Sequence, residues 1–454
     1  MKNLLLISFF FLLSVTAHAQ NTDSLSVPLT PEDRPINLYL LDYPLNFIDG
    51  YYFPSLNQSI YTTAAVHEVV NKSIGNALEP IHPIWGKVLT SASILTFNIF
   101  YSYTPTGAAW QHQEAHRAVL RNRGIHSYNQ ANEFRFFKKR IATIHVLDQD
   151  LIDFKRDYPA EFIRNRGIGH EGQLEGIEQM KKDAFYYGTP AYRDIIPYLI
   201  NTAITIQYVN EFRQDGYDQA IDERNKVELT PEERDQHGVE FTPWVYDMFR
   251  PDEPYEKRGN NGGIHPYGIG VDRYIGNEDL TPEEYNYLKK QSTLVWLNLL
   301  SPHNFGFARF KGTNPFNSQP MYYNFSVVHN LISFGHVIDI NVFLQLKKCN
   351  LFFTYHNYKN KDHYFPGIDL ELHRYPLKKI FLTTGIGMWM QPRDQLFQSI
   401  RGTAGGLVKL GIASKLCKNL EWFVEGDVKS EGWVSGNVAL APAGQIQVGL
   451  NWIY

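Results

Sequence analysis

Over the last third of the chain, apolar residues recur at every second position. In the final eleven residues, Ile446, Val448, Leu450, Trp452 and Tyr454 fall on one side, and Gln445, Gln447, Gly449 and Asn451 on the other. The same alternation sets Leu420, Trp422 and Val424 against Glu421, Glu425 and Asp427, and Ile368, Leu370 and Leu372 against Asp369, Glu371 and His373. It also sets Val408, Leu410 and Ile412 against Lys409, Gly411 and Ala413. A period of two sends successive side chains to opposite faces of a strand. Residues 304–454 are therefore expected to form antiparallel strands with one apolar and one polar face.

Before residue 304 the pattern is helical, broken by loops. Three uncharged runs stand out: the one between Lys87 and Glu114, then 195–210 and 291–308. Each has the length of a buried helix, and none has the uniform apolarity of a membrane-spanning one. Thr230-Pro231-Glu232-Glu233 and Thr281-Pro282-Glu283-Glu284 each put a capping hydroxyl before a proline and two acids, which marks a helix start. Residues 251–270 are too rich in Gly, Pro and Asn for regular structure. The expected fold class is α+β, with a mainly helical domain over 37–303 followed by a sheet of about eight strands, each of ~10 residues.

The N-terminus carries one cation at Lys2, an uncharged apolar stretch over 4–15, and Ala17-His18-Ala19. That is the layout of a secretory signal peptide over 1–19, with cleavage expected after Ala19. The apolar stretch is shorter than the ~20 residues that a spanning helix needs. Residues 20–36 read as a polar, flexible lead-in. A net charge of −4 shows no basic excess, so nucleic acid is not an expected partner. Cys349 and Cys417 do not make a disulfide framework; they either pair or stand as isolated thiols. The 28 Tyr, 29 Phe and 8 Trp exceed what a soluble core needs, and Tyr and Trp favour surfaces that are apolar at one end and wet at the other.

The closing strand, Leu450-Asn451-Trp452-Ile453-Tyr454, alternates and ends on an aromatic residue. In this it resembles bacterial outer-membrane β-barrels, over the final ~150 residues. The resemblance implies a barrel with membrane lipid outside, a polar lumen inside, and a location in the cell outer membrane. A half-buried soluble sheet, either a sandwich or a lipocalin-like barrel, shows the same alternation. The export signal and the terminal aromatic favour the membrane.

The densest chemistry in the helical part is Trp110-Gln111-His112-Gln113-Glu114-Ala115-His116-Arg117. Two histidines four apart share a helix face, as a pair of imidazoles offered to one metal ion must. The cluster resembles the H-E-x-x-H motif of zinc peptidases, with Gln113 where that family keeps its general base. An amide cannot take a proton from metal-bound water, and Glu114 lies a further ~100° round the helix. The resemblance implies zinc on His112 and His116. The best source of a third ligand is 167–175, where Glu171 follows what reads as a Gly-rich turn at a helix start and shares a face with Glu175. Glu114 and Glu175 are then the nearby acids able to serve as base. Two functions fit: an outer-membrane zinc metallohydrolase, or a non-catalytic barrel carrying a helical plug. No nucleophile elbow, phosphate loop or dinucleotide fingerprint is present.

Overall fold

The structure is a computed structural model that describes residues 35–44, 54–133, 141–228, 230–236, 238–259, 274–315, 318–346 and 349–453. The expected signal peptide, nearly all of the expected polar lead-in and the terminal Tyr454 lie outside the described residues, as does the part of the Gly-rich stretch from 260 onward.

The helical part contains α1 (Leu56–Leu78), α2 (Trp85–Tyr101), α3 (Ala108–Arg121), α4 (Asp148–Asp157), α5 (Pro159–Tyr187), α6 (Ala191–Val209), α7 (Tyr217–Val227), α8 (Phe241–Phe249) and α9 (Pro282–Leu294). The helix start at Thr281 is as expected: its hydroxyl accepts from the Glu284 amide, and Glu284 caps back onto the Thr281 N–H. The uncharged run after Lys87 is two helices, α2 and α3, parted by a turn whose Gly107 packs so closely on the Tyr101 carbonyl that no Cβ fits there.

The sheet is antiparallel and ten-stranded. Strand β1 (Pro35–Pro44) precedes the helices, and a short separate hairpin, β2 (Tyr128–Asn129) with β3 (Thr143–Ile144), lies among them. Nine strands follow: β4 (Phe310–Thr313), β5 (Pro320–Ile332), β6 (Gly335–Gln345), β7 (Asn350–Lys359), β8 (Tyr364–Leu377), β9 (Ile380–Pro392), β10 (Gly402–Cys417), β11 (Leu420–Lys429) and β12 (Ala443–Ile453). Their order is β1-β12-β11-β10-β9-β8-β7-β6-β5-β4, so the first strand pairs with the last and the whole helical part is inserted between β1 and β4. Strands β1 and β4 are the two edges, and they do not pair with each other. The sequence reading placed no strand at 35–44. A bulge between Asn37 and Tyr39 shifts the register there, which breaks the alternation that reveals the other strands.

The polarity of the sheet is inside out. Phe325, Ile340, Tyr355, Leu370, Ile386, Val408, Val424 and Val448, one from each of β5 to β12, are exposed on the outer face. The inner face carries Asn341, His356, Asp369, Glu371, Lys409 and Asp427 and curls round α5. Helix α5 is held there by Lys182 to Glu371 at 2.6 Å, by Glu178 to Asn341 at 3.0 Å and to Ser326, and by the Tyr186 hydroxyl donating to the Leu351 carbonyl at 2.6 Å. Helix α2 shares much of this polarity: beside Ile94 and Tyr101 it buries Gly86, Thr90, Ser91 and Asn98, and it exposes Trp85, Leu89, Ile99 and Phe100.

At the opposite end of α5, the helical part seats on the strand connections. The Trp244 indole donates to the Ile332 carbonyl, Gln398 to Phe249, and Arg164 to Val434 and Val438. This cap is organised round Asp247, a fully buried carboxylate bonded to Lys155 at 2.7 Å and to Arg258 through both oxygens at 2.8 Å, with Arg166 at 3.5 Å. Burial opposes its charge, but Arg258, Lys155 and Arg166 together hold its carboxyl well below the usual range.

Asp247→Asn leaves three buried cations without a counter-charge and is expected to destabilise the cap by about 3–5 kcal/mol, read as a lowered denaturant midpoint. Because the folded pKa is depressed, the stabilisation by Asp247 is complete above the ordinary carboxylate value of about 3.9 and is lost as pH falls below it. The wild type should therefore lose cap stability in that acid window, and the variant should not.

Candidate metal centre

Helix α3 crosses α5 closely because α5 offers a line of glycines to it. Gly172 faces the Ala115 methyl, Gly176 faces the Gln111 side chain, and a Cβ on Gly169 would overlap the Nε2 atoms of both His112 and His116. These glycines therefore do not form a turn, as the sequence suggested, but sit in the interior of a 29-residue helix. Each costs roughly 1 kcal/mol of helix propensity, offset by the packing of α3 and by the space left for two imidazoles.

The two histidines are fully buried and fixed from behind. His116 Nδ1–H donates to the Asn165 backbone carbonyl at 2.6 Å, and His112 Nδ1 lies 3.2 Å from the side-chain amide oxygen Oε1 of Gln173. With Nδ1 as the donor, each neutral ring presents an Nε2 lone pair, the outer-shell arrangement that orients metal-binding imidazoles. The two Nε2 atoms are 3.3 Å apart.

The third member of the group is Glu240. Its Oε1 lies 2.6 Å from His112 Nε2 and 3.9 Å from His116 Nε2, and the three ligand atoms lie within 4.8 Å of one another. Tetrahedral zinc with bonds of ~2.0–2.1 Å separates its ligands by about 3.3 Å, which is the spacing of the two nitrogens, while the Glu240 contacts at 2.6 and 3.9 Å lie on either side of it. The backbone of Glu240 is held at φ 61°, ψ −68°, the centre of a three-residue turn closed by Phe241 N–H to the Val239 carbonyl at 2.8 Å. This positive-φ γ-turn is rare and strained for a non-glycine residue. Asn165 and Arg166 of α5 hold the segment leading into it, through the side chain and the carbonyl of Gln236. One stretch of α5 thus anchors all three members.

A cavity of about 330 Å³ opens in front of the group, walled by His112, Gln173, Tyr208, Arg224, Asp235 and Glu240 among others. The Tyr208 ring stacks on His112 at 5.4 Å. Burial works against a charge on His112, but the charge and hydrogen bond of Glu240 outweigh it, and the His112 pKa is raised.

The other sequence candidates lie elsewhere. Glu171 is buried in an ion pair with Arg164 at 2.5 Å and accepts from the Trp433 indole at 2.9 Å, which docks α5 onto the sheet. Glu114 is bound by Arg117, Arg121 and Asn129, and Glu175 accepts from Ser435. The Gln113 amide donates to the Ile141 carbonyl and accepts from the Thr143 hydroxyl, so it braces the β2–β3 hairpin. The sequence reading missed Glu240. Its one visible mark is that it is the sole charge in Val239–Trp244, an otherwise apolar helix start.

Gly169→Ala should preserve α5, since alanine favours helix, yet push both imidazoles aside and abolish metal uptake measured by elemental analysis. Zinc must also displace the His112 proton. Affinity is therefore expected to fall about tenfold per pH unit as pH drops through the raised His112 pKa, in a chelator competition. Comparison with protein-family models, with curated proteins and with solved structures found no match to this chain.

Proposed function

We propose that the chain is an outer-membrane protein whose helical cap holds a zinc ion on His112, His116 and Glu240 for a hydrolytic reaction. The observation that carries the metal reading is the donor set: two lone pairs and a carboxylate converge at zinc spacing, each imidazole backed by a hydrogen bond. Three protein ligands leave one position for water or substrate, and the adjoining cavity gives that position somewhere to open. Bound zinc would acidify a water and polarise a carbonyl or phosphoryl oxygen. Asp235 and Glu211 supply the carboxylates of the cavity wall, whereas Glu114 and Glu175 are engaged in other bonds.

The membrane reading is supported by the inverted sheet. Exposed apolar side chains occur on every strand from β5 to β12 and on α2, so a single docked protein could not cover them all, whereas acyl chains could. Helix α2, at 17 residues, is about 25 Å long, the height of the apolar band of an outer-membrane barrel. No described helix is long and apolar enough to cross a membrane by itself, so the sheet carries the proposal.

A second reading keeps the metal without the chemistry. Gln113 occupies the position of the zinc-peptidase base and is tied to the β2–β3 hairpin, and α5 fills the inner face of the sheet as a plug would.

Purified protein should carry about one zinc per chain, as one site of this type holds. His112→Ala, His116→Ala and Glu240→Gln should each lose it, while Glu171→Gln should keep it and lose stability instead. Zinc retained by Glu240→Gln would reject this ligand set. Zinc-loaded protein that hydrolyses none of a panel of peptides, esters and phosphoesters would favour the second reading. In cells, the mature chain should fractionate with outer membranes and migrate heat-modifiably; recovery as a soluble periplasmic protein would reject the membrane reading.

A further inference from the structure

The two ends of the sheet differ. At one end the connections are 314–319, 346–349, 378–379 and 418–419, and both termini of the strand set lie there, because Pro35 pairs with Ile453. At the other end they are 333–334, 360–363, 393–401 and 430–442, together with the points where the helical insertion leaves β1 and enters β4. All four of these connections touch the helical cap or one another: Trp244 reaches Ile332, Lys361 pairs with Glu283 at 2.8 Å and bonds Phe397, and Trp433 reaches Glu171. The metal group is on this side. Gly167, half a turn from Gly169 on α5, lies against the Leu331 carbonyl at the tip of β5.

Sheets of this kind insert with short turns toward the periplasm and long loops toward the exterior. The reason is mechanistic: strands enter from the periplasm, so the segments that must cross the membrane end up outside, and both termini remain behind. The chain has both marks, short turns together with both termini at one end and the long segments at the other.

We infer that the cavity in front of His112, His116 and Glu240 opens on the outer side of the membrane, and that its substrate arrives from outside the cell. This rests on the membrane reading above and is independent of whether zinc is bound. It excludes periplasmic polymers such as the cell wall as substrates. It points instead to molecules in the medium or on the outer leaflet, for which Arg224, Asp235 and Glu211 supply charged groups on the cavity wall.

The two native cysteines, Cys349 and Cys417, both lie at the short-turn end, which makes a labelling test direct. In a Cys349→Ser, Cys417→Ser background of the full chain, Gln149→Cys places a thiol on exposed α4 in the cap, and Lys379→Cys places one in an exposed short turn. A membrane-impermeant maleimide applied to intact cells is expected to label Gln149→Cys as fully as it does in lysed cells. Labelling of Lys379→Cys should be lost on intact cells and restored when the outer membrane is permeabilised. The reverse pattern overturns the orientation, and so does equal labelling of the two variants or labelling of neither on intact cells. Fractionation of the same variants separates the two failures: soluble protein rejects the membrane reading, whereas membrane-bound protein with the reversed pattern rejects the orientation alone.

Discussion

The contact between α3 and α5 at Gly169 is the constraint from which the site follows. A side chain at this position would occupy the space in which two imidazole nitrogens come within 3.3 Å of each other. The same stretch of α5 supplies the Asn165 carbonyl that orients His116, the side chains that pin the segment before Glu240, and the Arg166 guanidinium beside Asp247. Two buried histidines and a buried carboxylate, packed without a cation, leave lone pairs facing lone pairs at 2.6–3.9 Å unless protons fill the gap. The Glu240 carboxylate outweighs burial and raises the His112 pKa, so the pair favours a shared positive charge. A proton meets that need at low pH, and a metal ion meets it better because it satisfies all three donors together.

Helix α5 also joins the two halves of the molecule. Its first turns serve the cap, its middle serves the metal group, and its last turns reach the polar inner face through Glu178, Lys182 and Tyr186. A sheet that turns charged residues inward needs something polar to meet them, since buried charges are tolerated only when paired. The ion pair of Lys182 with Glu371 meets that need, and so does that of Arg374 with Glu421.

Much of this was legible from local pattern. The alternation after residue 304 located the strands because register has a strict period of two, and the spacing of His112 and His116 located two members of the buried group because a helix brings residues four apart onto one face. What was missed depends on the third dimension. Strand β1 is bulged, so its phase slips. Glu240 lies more than 120 residues from the histidines and reaches them through a strained turn that leaves no periodic mark. Glu171 looked like a ligand because it stands next to the glycines that make the site, but one step along a helix is ~100° of rotation. That rotation turns its carboxylate to Arg164 and Trp433 instead. The glycines themselves suggested a turn, because composition cannot distinguish a bend from a close approach.

The unpaired edges of the sheet carry a further consequence. Among the described residues, strands β1 and β4 each present a row of backbone groups without a strand partner, an edge that folded sheets cover or pair. Between them the chain runs through neighbours in contact: β1 against α1, α1 against α2, α2 against α6, and α6 against the turns at 295–305, which in turn pack on β5. The Val327 N–H donates to the Leu300 carbonyl, so this filling even continues the hydrogen bonding of the sheet. Helices rather than a β1–β4 pair stand between the two edges, and this leaves room for α5 against the polar inner face. A ring of ten strands closed on itself would have to fit a 29-residue helix inside a barrel in which only slightly fewer strands already fill their own interior with side chains. On this argument the inverted polarity of α2 is not incidental. A helix that lies between the two edges meets the same surroundings as the strands, and it likewise buries Thr90, Ser91 and Asn98 while leaving Trp85, Leu89, Ile99 and Phe100 exposed.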